Sequence, residues 1–466
     1  MSVMSTKTRV LDEATVLRAA FAPLQVMAGF VLLVLGLLTS LRTDTVNVLP
    51  SLALALGLSM AGALLSTWDR TRGPTSTVTA YILVFGLFHA GLVVAVAVGG
   101  EELLVGQGDN SWLFTQRLPD AVRAVVVGMI ALTGGVLLVR ALTGRQGRLR
   151  ADASEVRPEG TVLVGAVATS VGFLVLSYVV AQNGGLALLT SGYGGFLEAV
   201  GGAGTFGYGT IIFGFGVGFL VAGGGAARRT GWIVFVVFAL IGLPLGLRGT
   251  VLFLGVALLA VEAKKRRVPV WLAVGVSYAC LMLIDLIRVS RAEGIGGLFR
   301  VDLSRIVPLR AIAEMGYSLK PAVVVDEWMS SGTQPLHGVT LIAPLVRFVE
   351  RFLGVRGPSD GIDDRLFNVE ILYRAGPIGG SPVAEGLRNG GLWFVIGLML
   401  VIGIGLALMD RLPATPLAGA ATMVVFLPLL IAVRNSLAPV LIQMALGVIL
   451  LLVASYLSRS KKVTRS

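Results

Sequence analysis

The stretch NGGLWFVIGLMLVIGIGLALM, residues 389–409, decides the fold class of this chain. It contains no charged side chain, and it is as long as the run of roughly 20 apolar residues that a helix needs to cross a bilayer. Because the bilayer core offers no water to the backbone, such a segment must satisfy its own amide and carbonyl groups as an α-helix. The stretch therefore predicts a membrane-spanning helix.

The same pattern recurs along the chain and predicts an all-α polytopic membrane protein with about twelve transmembrane helices. The composition agrees, since 55% of the 466 residues are hydrophobic and only 14% are charged. Soluble domains carry about 25% charged residues. The predicted spans are 20–41, 48–68, 78–100, 120–139, 160–182, 208–225, 231–246, 249–263, 268–287, 389–409, 413–433 and 436–457.

The basic residues predict which connections face the cytoplasm. If the N-terminus is inside, most Lys and Arg residues of the connections fall on the inner side, which is the positive-inside distribution. This places both termini in the cytoplasm. It also accounts for the net charge of +12 without a nucleic-acid partner.

One connection is much longer than the others, and on this topology it lies outside. It divides the chain into transmembrane helices 1–9 in residues 1–287, an extracytoplasmic loop domain in 288–388, and helices 10–12 with a basic cytoplasmic tail in 389–466. The loop domain contains amphipathic helical patterns. The clearest lies in 341–354, and we expect that helix to lie on the membrane, to cap a cavity or to pack on its own loop.

The segment Gly-Leu-Arg-Gly-Thr, residues 246–250, is the predicted tip of a short helical hairpin. The chain between the inner anchors Arg229 and Lys264 is shorter than the roughly 40 residues that two crossings and a turn require. The tip is therefore expected below the outer surface, where an arginine such as Arg248 is costly and usually marks a functional cavity. The alternative is that Arg248 extends to the lipid headgroups. Gly249 would let a ligand approach the backbone closely.

Further arginines are expected at the same outer boundary. Arginine suits phosphate because its planar guanidinium bonds two oxygens at once, so a group of arginines here would fit a lipid-linked diphosphate. The alternatives are anionic headgroups or, for Arg288, an ion pair with Asp285 on the same helix. The candidates beside Arg248 are Arg288, Arg291, Arg310 and Arg434.

Two carboxylates are candidates to take a proton from an incoming hydroxyl. Glu385 directly precedes the tenth span, and Glu314 lies four residues after Arg310. The alternative for Glu314 is a helical ion pair with Arg310. Since the chain has only two histidines and one cysteine, we predict no metal site and no Ser-His-Asp triad.

The segment Ile378–Glu385, IGGSPVAE, followed by Asn389-Gly390-Gly391 and a new span, resembles the O-antigen polysaccharide polymerase family. Members carry a Gly-rich Ser-x-x-Ala-Glu segment and then a small Asn/Gly step into a helix. The segment Ala313–Ser318, AEMGYS, resembles the loop pattern of the same family. Residues 246–249 resemble the Arg-Gly step of the related polymerases and ligases, except that Leu247 stands where a Ser or Thr is usual.

The resemblance covers roughly residues 245–395. It implies a GT-C glycosyltransferase without cofactor or metal, on the outer face of the bacterial cytoplasmic membrane. The implied donor is a glycan on undecaprenyl diphosphate and the implied acceptor is the next lipid-linked repeat unit. Membrane lipids, a flippase and a chain-length regulator are the further implied partners.

The resemblance also implies roles for particular residues. Arg248 and the other outer arginines would hold the diphosphate and stabilise the leaving charge, while Glu385 or Glu314 would orient or deprotonate the acceptor hydroxyl. The backbone of the site would be built from the small and polar residues of the motifs. These are Gly249, Gly379, Gly380, Ser381 and Asn389.

Other functions stay open at this point. Ligases of the related branch carry a His near the end of the outer loop, and no His follows His337 here, which favours the polymerase. A secondary transporter or lipid-glycan flippase usually has its longest loop at the centre and inside, whereas here it is late and outside. The remaining alternatives are a glycosyltransferase with a lipid-monophosphate donor and a non-enzymatic subunit of a polysaccharide export assembly.

Overall fold

The computed structural model describes most of the chain, and this described part is helical without a strand. Arg291 and its neighbours lie outside it. The described residues are 13–42, 48–69, 73–104, 109–143, 158–189, 195–196, 198–199, 204–266, 268–290, 306–355, 363 and 365–459.

The helices follow one another along the chain with short 3-10 turns between some of them. The α-helices are α1 (Glu13–Leu41), α2 (Val48–Thr67), α3 (Thr77–Gly99), α4 (Leu118–Leu142), α5 (Glu159–Gln182), α6 (Gly204–Gly223), α7 (Gly225–Gly242), α8 (Arg248–Ala263), α9 (Val270–Ser290), α10 (Pro308–Met315), α11 (Lys320–Ser330), α12 (Val339–Phe352), α13 (Phe367–Ala375), α14 (Pro382–Arg411), α15 (Pro416–Ala432) and α16 (Ala438–Arg459). The 3-10 turns are Gly73–Thr75, Glu101–Leu104, Ser111–Phe114, Gly185–Leu189 and Gly316–Leu319.

Ten of these helices are long and apolar enough to cross a membrane, which makes the protein a multi-pass membrane protein. Each of the twelve predicted spans coincides with a helix, but two of those helices are shorter than a full span. They are α8, with 16 residues, and α15, with 17 residues. A helix of 16 residues is about 24 Å long, whereas the hydrocarbon core is about 30 Å thick. Twelve full crossings are therefore not supported in the described part.

The bundle has central and peripheral helices. In the most apolar part of α3, of α4 and of α6, 67% of the residues are buried. The corresponding share of buried residues is 11% for α7 and 17% for α9. The largest fully buried side chains include Tyr81 and Phe85 of α3. A helix that is apolar on every side is stable at the periphery only where lipid surrounds it, so α7 and α9 are expected to face the bilayer.

Basic side chains connect the helix ends at one face of the bundle. Arg140, at the end of α4, donates to the carbonyl of Thr67 at the end of α2, with an N to O distance of 2.6 Å. Lys264, directly after α8, donates to the carbonyl of Met409 in α14 at 2.8 Å. The last carbonyls of a helix have no partner within the helix, and cations satisfy them. The ends that the sequence predicts to be cytoplasmic are thus gathered on one face.

Part of the predicted loop domain folds into the bundle instead of forming a core of its own. Residues 308–330 comprise α10, a 3-10 turn and α11, and we call this segment the re-entrant hairpin. Leu309 lies beside Gly99 at the end of α3, and Gly316 lies beside Leu92, about two helical turns deeper along α3. The apolar residues of the hairpin, such as Ala313, join the main hydrophobic core.

The predicted amphipathic helix is present as α12, and its apolar face is largely exposed. Leu341 packs near Leu437 at the start of α16, whereas Ile342, Leu345 and Val349 are 59%, 47% and 51% exposed. No described segment covers these three residues. This exposure fits the expectation that the helix lies on the membrane.

The polar face of α12 is fastened to the segment that follows it. Arg365 donates to Glu350 and to Asp363, at 3.0 and 2.8 Å, and Arg347 lies 3.4 Å from Asp363. The hydrogen bonds from Arg365 hold the pKa of both carboxyl groups below its usual range. The two faces of α12 are therefore separated into an exposed apolar side and an ion-paired polar side.

The contact between the re-entrant hairpin and α3 predicts a strict need for glycine at position 316. A β-carbon on Gly316 would clash with the backbone of Leu92, and a backbone atom cannot move aside as the end of a side chain can. We expect Gly316→Ala to lower the free energy of unfolding by about 1–3 kcal/mol, as overpacking does. Thermal unfolding of the purified protein in detergent measures the effect.

The matched control is Gly397→Ala, because Gly397 is also helical and a β-carbon there would meet nothing within 4 Å. That variant should be as stable as the unmodified protein or slightly more stable, since alanine favours the helix. Equal stability of the two variants would contradict the deep insertion of the hairpin.

Candidate functional site

Three of the predicted charged site residues meet in one cleft. Arg248 begins α8, Glu314 lies in α10, and Arg434 follows the end of α15. The cleft is narrow, with a cavity volume of about 10 Å³, and it is open to the surface. The remaining lining is mostly apolar and consists of Phe88, Gly249, Leu252, Ile284 and Met315.

The two helices that are too short for a full span both end at this cleft. The N-terminus of α8 carries Arg248, and the turn after the C-terminus of α15 carries Arg434. The two helices pack against each other, and a β-carbon on Gly249 would lie 3.9 Å from the Arg434 guanidinium. The recess therefore forms where this helix pair stops, and the two arginines lie in it.

The start of α8 carries no side-chain cap. Leu247 occupies the cap position, and it cannot accept a hydrogen bond from the first amides of the helix as a Ser or Thr would. The uncapped amides and the helix dipole make an N-terminus attractive to an anion. The departure of Leu247 from the family pattern thus leaves the positive end of α8 facing the cleft.

Glu314 forms an ion pair with Arg248 across the cleft. The Arg248 Nη2 to Glu314 Oε1 distance is 2.6 Å, and the two side chains are only 14% and 11% exposed. A charge-assisted bond of this length in a nearly buried place holds both groups firmly. The sequence suggested Arg310 as a partner for Glu314, and the structure adds a partner 66 residues away.

Glu385, the other candidate carboxylate, does not line the cleft and is fully buried. Its Oε1 accepts a hydrogen bond from the Thr340 hydroxyl at 2.7 Å. Its Oε2 accepts from the Leu437 amide at 2.6 Å and from the Ser436 hydroxyl at 3.2 Å. Glu385 therefore joins α12 and α14 to the turn that carries Arg434.

The Gly-Gly-Ser segment before Glu385 supports the same turn. The Gly380 amide donates to the carbonyl of Arg434 at 3.1 Å. Gly379 has a φ of +79°, and a β-carbon there would lie 2.8 Å from that carbonyl oxygen, so both conformation and space require glycine. Ser381 caps α14 by accepting from the Ala384 amide at 3.1 Å. These motif residues shape the backbone around Arg434.

Asn389 links α14 to the start of α12 through hydrogen bonds. Its amide nitrogen donates to the Thr340 hydroxyl at 2.7 Å, and its amide oxygen accepts from the Gly338 amide at 2.9 Å. Directly after it, α14 is kinked at Gly390 and Gly391. The kink leaves the Asn389 carbonyl free of its helical partner, and the His337 amide donates to it at 2.8 Å. The Asn/Gly step of the motif thus has a structural role.

Two of the other predicted arginines lie outside the cleft. Arg288 donates to Asp285 at 2.7 Å, which confirms the local ion pair as the arrangement in this structure. The second oxygen of Asp285 accepts from the Val307 amide at 2.7 Å. Neither Arg288 nor Arg310 lines the cleft, and Arg291 lies outside the described residues.

Sequence reasoning did not find the residues that hold the site together. Thr340 and Ser436 carry no recognisable motif, and their contacts with Glu385 join positions 45 and 51 residues apart. The apolar lining of the cleft was also missed, because Phe88 and Leu252 resemble any other residue of an apolar helix. Within the described part, no group of three or more His, Cys, Asp or Glu residues is arranged to hold a metal ion.

The fold and the site are those of a multi-pass membrane protein with an ion-paired cleft at one end of its bundle. In sequence, the chain is similar to Protein CapE of Staphylococcus aureus, with 23% identity over 239 residues. The match covers 50% of this chain and 51% of that protein, so the chain spans about half the length of the curated relative it matches. No family model and no solved structure matches the chain.

The burial of Glu385 predicts a large effect on stability. Glu385→Ala leaves three donors without an acceptor, namely the two hydroxyls and the Leu437 amide, and each unsatisfied buried group costs about 1–3 kcal/mol. We expect a clear drop in the unfolding temperature in detergent. Thr340→Val, which removes one donor and keeps the shape, should cost less.

The control for this comparison is Glu101→Ala, since Glu101 is an exposed carboxylate at the same end of the bundle. It should leave the unfolding temperature unchanged. A Glu385→Ala variant as stable as this control would show that the hydrogen bonds of Glu385 do not hold the Arg434 turn.

Proposed function

We propose that the protein polymerises lipid-linked oligosaccharide repeat units into a cell-surface polysaccharide, as a glycosyltransferase of the outer face of the bacterial cytoplasmic membrane. The observation that carries the proposal is the cleft in which Arg248 and Arg434 meet Glu314 at the ends of two short helices. The similarity to CapE, a capsule biosynthesis protein, supports a role in polysaccharide synthesis.

The cleft suits the diphosphate of a lipid-linked donor. A diphosphate that is esterified at both ends carries one negative charge on each phosphate, and Arg248 and Arg434 supply two guanidinium groups. The uncapped N-terminus of α8 adds amide donors on the same side. Bonds from several fixed donors strengthen as charge develops on the leaving phosphate, and this is the usual route to transition-state stabilisation.

Glu314 is the carboxylate best placed to act on the acceptor. In the present structure Arg248 neutralises it, and an incoming diphosphate would compete for the same guanidinium. Once Arg248 bonds the phosphate, the Glu314 carboxylate can accept the proton of the acceptor hydroxyl beside the leaving group. Binding of the donor would in this way prepare the base.

The proposed step is a simple displacement. The acceptor hydroxyl oxygen bonds to the anomeric carbon of the donor glycan, and its proton passes to Glu314. The bond between that carbon and the diphosphate oxygen breaks, and the electron pair leaves with undecaprenyl diphosphate. Arg248 and Arg434 stabilise the charge on the departing oxygen. Glu385 would act as a positioning residue, because both of its oxygens already accept hydrogen bonds that hold the Arg434 turn.

Removal of either cleft arginine should impair polymerisation. We expect Arg248→Ala and Arg434→Ala each to lower the turnover number by about a hundredfold or more, as the loss of one stabilising donor does. The assay uses purified protein in lipid nanodiscs with an undecaprenyl-diphosphate-linked repeat unit, and a gel ladder spaced by one repeat unit reports polymer.

The matched control is Arg123→Ala, because Arg123 is also an ion-paired arginine at this end of the bundle but lies outside the cleft. It should retain normal ladder formation. If the folded, unmodified protein gives no ladder with a verified substrate, polymerase activity is excluded, and a lipid-flipping assay would follow.

The two carboxylates are separated by comparing Glu314→Gln with Glu385→Gln in the same assay. We expect Glu314→Gln to lower the turnover number by about 10²–10⁴-fold, as loss of a general base does. Glu385→Gln should lower the unfolding temperature and reduce the turnover number of the folded protein much less. The opposite pattern would assign the base to Glu385.

A further inference from the structure

The inner half of α9 is largely exposed. Val274, Val276 and Tyr278 are 63%, 44% and 58% exposed, and all residues from 274 to 279 are exposed. Six consecutive positions cover every side of a helix with 3.6 residues per turn. This half of α9 contacts the Gly73–Thr75 turn at its end, whereas the other half is packed more fully, since Ile284 and Ile287 are buried and α10 is its main contact.

The central helix α3 is also uncovered at the same level. Gly91 of α3 faces the backbone of Ile312, so the re-entrant hairpin covers α3 there. Leu87 and Leu83 follow on the same face, one and two turns deeper. Leu87 is half-buried and Leu83 is 37% exposed, although most of α3 is buried. The face of α3 thus opens directly beneath the hairpin.

The short helix α8 supplies the other side. Leu252 lines the cleft, and Val256 and Leu259 follow on the same face, four and seven residues later. Both are half-buried, whereas their neighbours Ala257 and Leu258 are fully buried. We call the space between these helices the α8–α9 gap. Its wall residues on α3 and α8 are Leu83, Leu87, Leu252, Val256 and Leu259.

The α8–α9 gap is continuous with the cleft. Phe88 and Leu252 belong to the floor of the cleft, and they adjoin the wall residues Leu87 and Val256 along α3 and α8. The ionic end of this combined space carries two arginines, and the remainder is lined by aliphatic side chains and opens toward lipid. Such a space is complementary to an amphiphile with an anionic head and one long hydrocarbon chain, because head and chain each meet matching surroundings.

We propose that the α8–α9 gap holds the polyprenyl chain of the lipid whose diphosphate occupies the cleft. This inference rests on the proposed function. It adds that the donor lipid enters sideways from the bilayer, between α8 and α9, and that its chain stays in contact with hydrocarbon throughout. It also gives a reason why α9 is joined to the bundle mainly at its outer end: a helix packed along its whole length would close the path.

The test compares a ligand that has the chain with one that lacks it. Val256→Trp and Leu259→Trp fill the gap while leaving the residues of the cleft unchanged. We expect each variant in nanodiscs to bind undecaprenyl diphosphate about tenfold or more weakly, because an indole ring takes the place of the chain. Binding of inorganic diphosphate should stay within about twofold. Val237→Trp, on the exposed face of α7, is the control and should leave both affinities unchanged.

The outcomes separate the inference from the proposed function. If the unmodified protein binds both ligands and the tryptophan variants also bind undecaprenyl diphosphate normally, the gap is not the chain site, and the diphosphate site stands. If the unmodified protein binds neither ligand, both the inference and the proposed function are overturned.

A second measurement needs no substitution and so does not depend on the folding of a variant. Undecaprenyl diphosphate with a photoreactive diazirine in its chain is bound to the unmodified protein, irradiated, and the labelled peptides are identified. Labels on the wall residues of α3 and α8, or on the inner half of α9, support the inference. Labels confined to other helices, such as α1 or α16, overturn it.

Discussion

The ion pair between Arg248 and Glu314 is the interaction on which the cleft depends. It joins the first residue of a bundle helix to a segment that enters the bundle from the longest connection, with 2.6 Å between the bonded atoms. Most other residues around it are apolar, so either charge alone would be costly in this place. The pair therefore fixes the distance between α8 and the re-entrant hairpin.

The hairpin can reach this position only because its backbone touches the backbone of α3. Gly91 and Gly316 lie where the two segments cross, and any larger side chain would separate them. Small residues allow close backbone approach inside membranes, where packing and hydrogen bonds take the place of the hydrophobic effect between helices. The contact itself involves no charged side chain, yet it determines how deeply Glu314 lies.

A second group of bonds holds the opposite wall of the cleft. Glu385 and Asn389 share the Thr340 hydroxyl, and Glu385 also accepts from the turn that carries Arg434. A buried polar network of this kind is stable only when its members are satisfied together. The residues that resemble catalytic motifs therefore act in this structure mainly through the backbone that they position, while the charged groups of the cleft come from three separate parts of the chain.

The sequence by itself determined the helical membrane architecture, because hydropathy and length are local properties that can be read from one segment at a time. All twelve predicted spans coincide with helices, and the shortness of the hairpin around Arg248 was visible in the spacing of its basic anchors. The ion pair of Arg288 with Asp285 was predictable for the same reason, since the partners are three residues apart.

Only the tertiary structure decided that Glu314 reaches Arg248, that Glu385 is buried, and that two helices end before the length of a full span at one cleft. The first two facts depend on contacts between residues 45 to 66 positions apart, and the third joins residues that are farther apart still. Such contacts follow from how whole helices pack, which no single segment of sequence records.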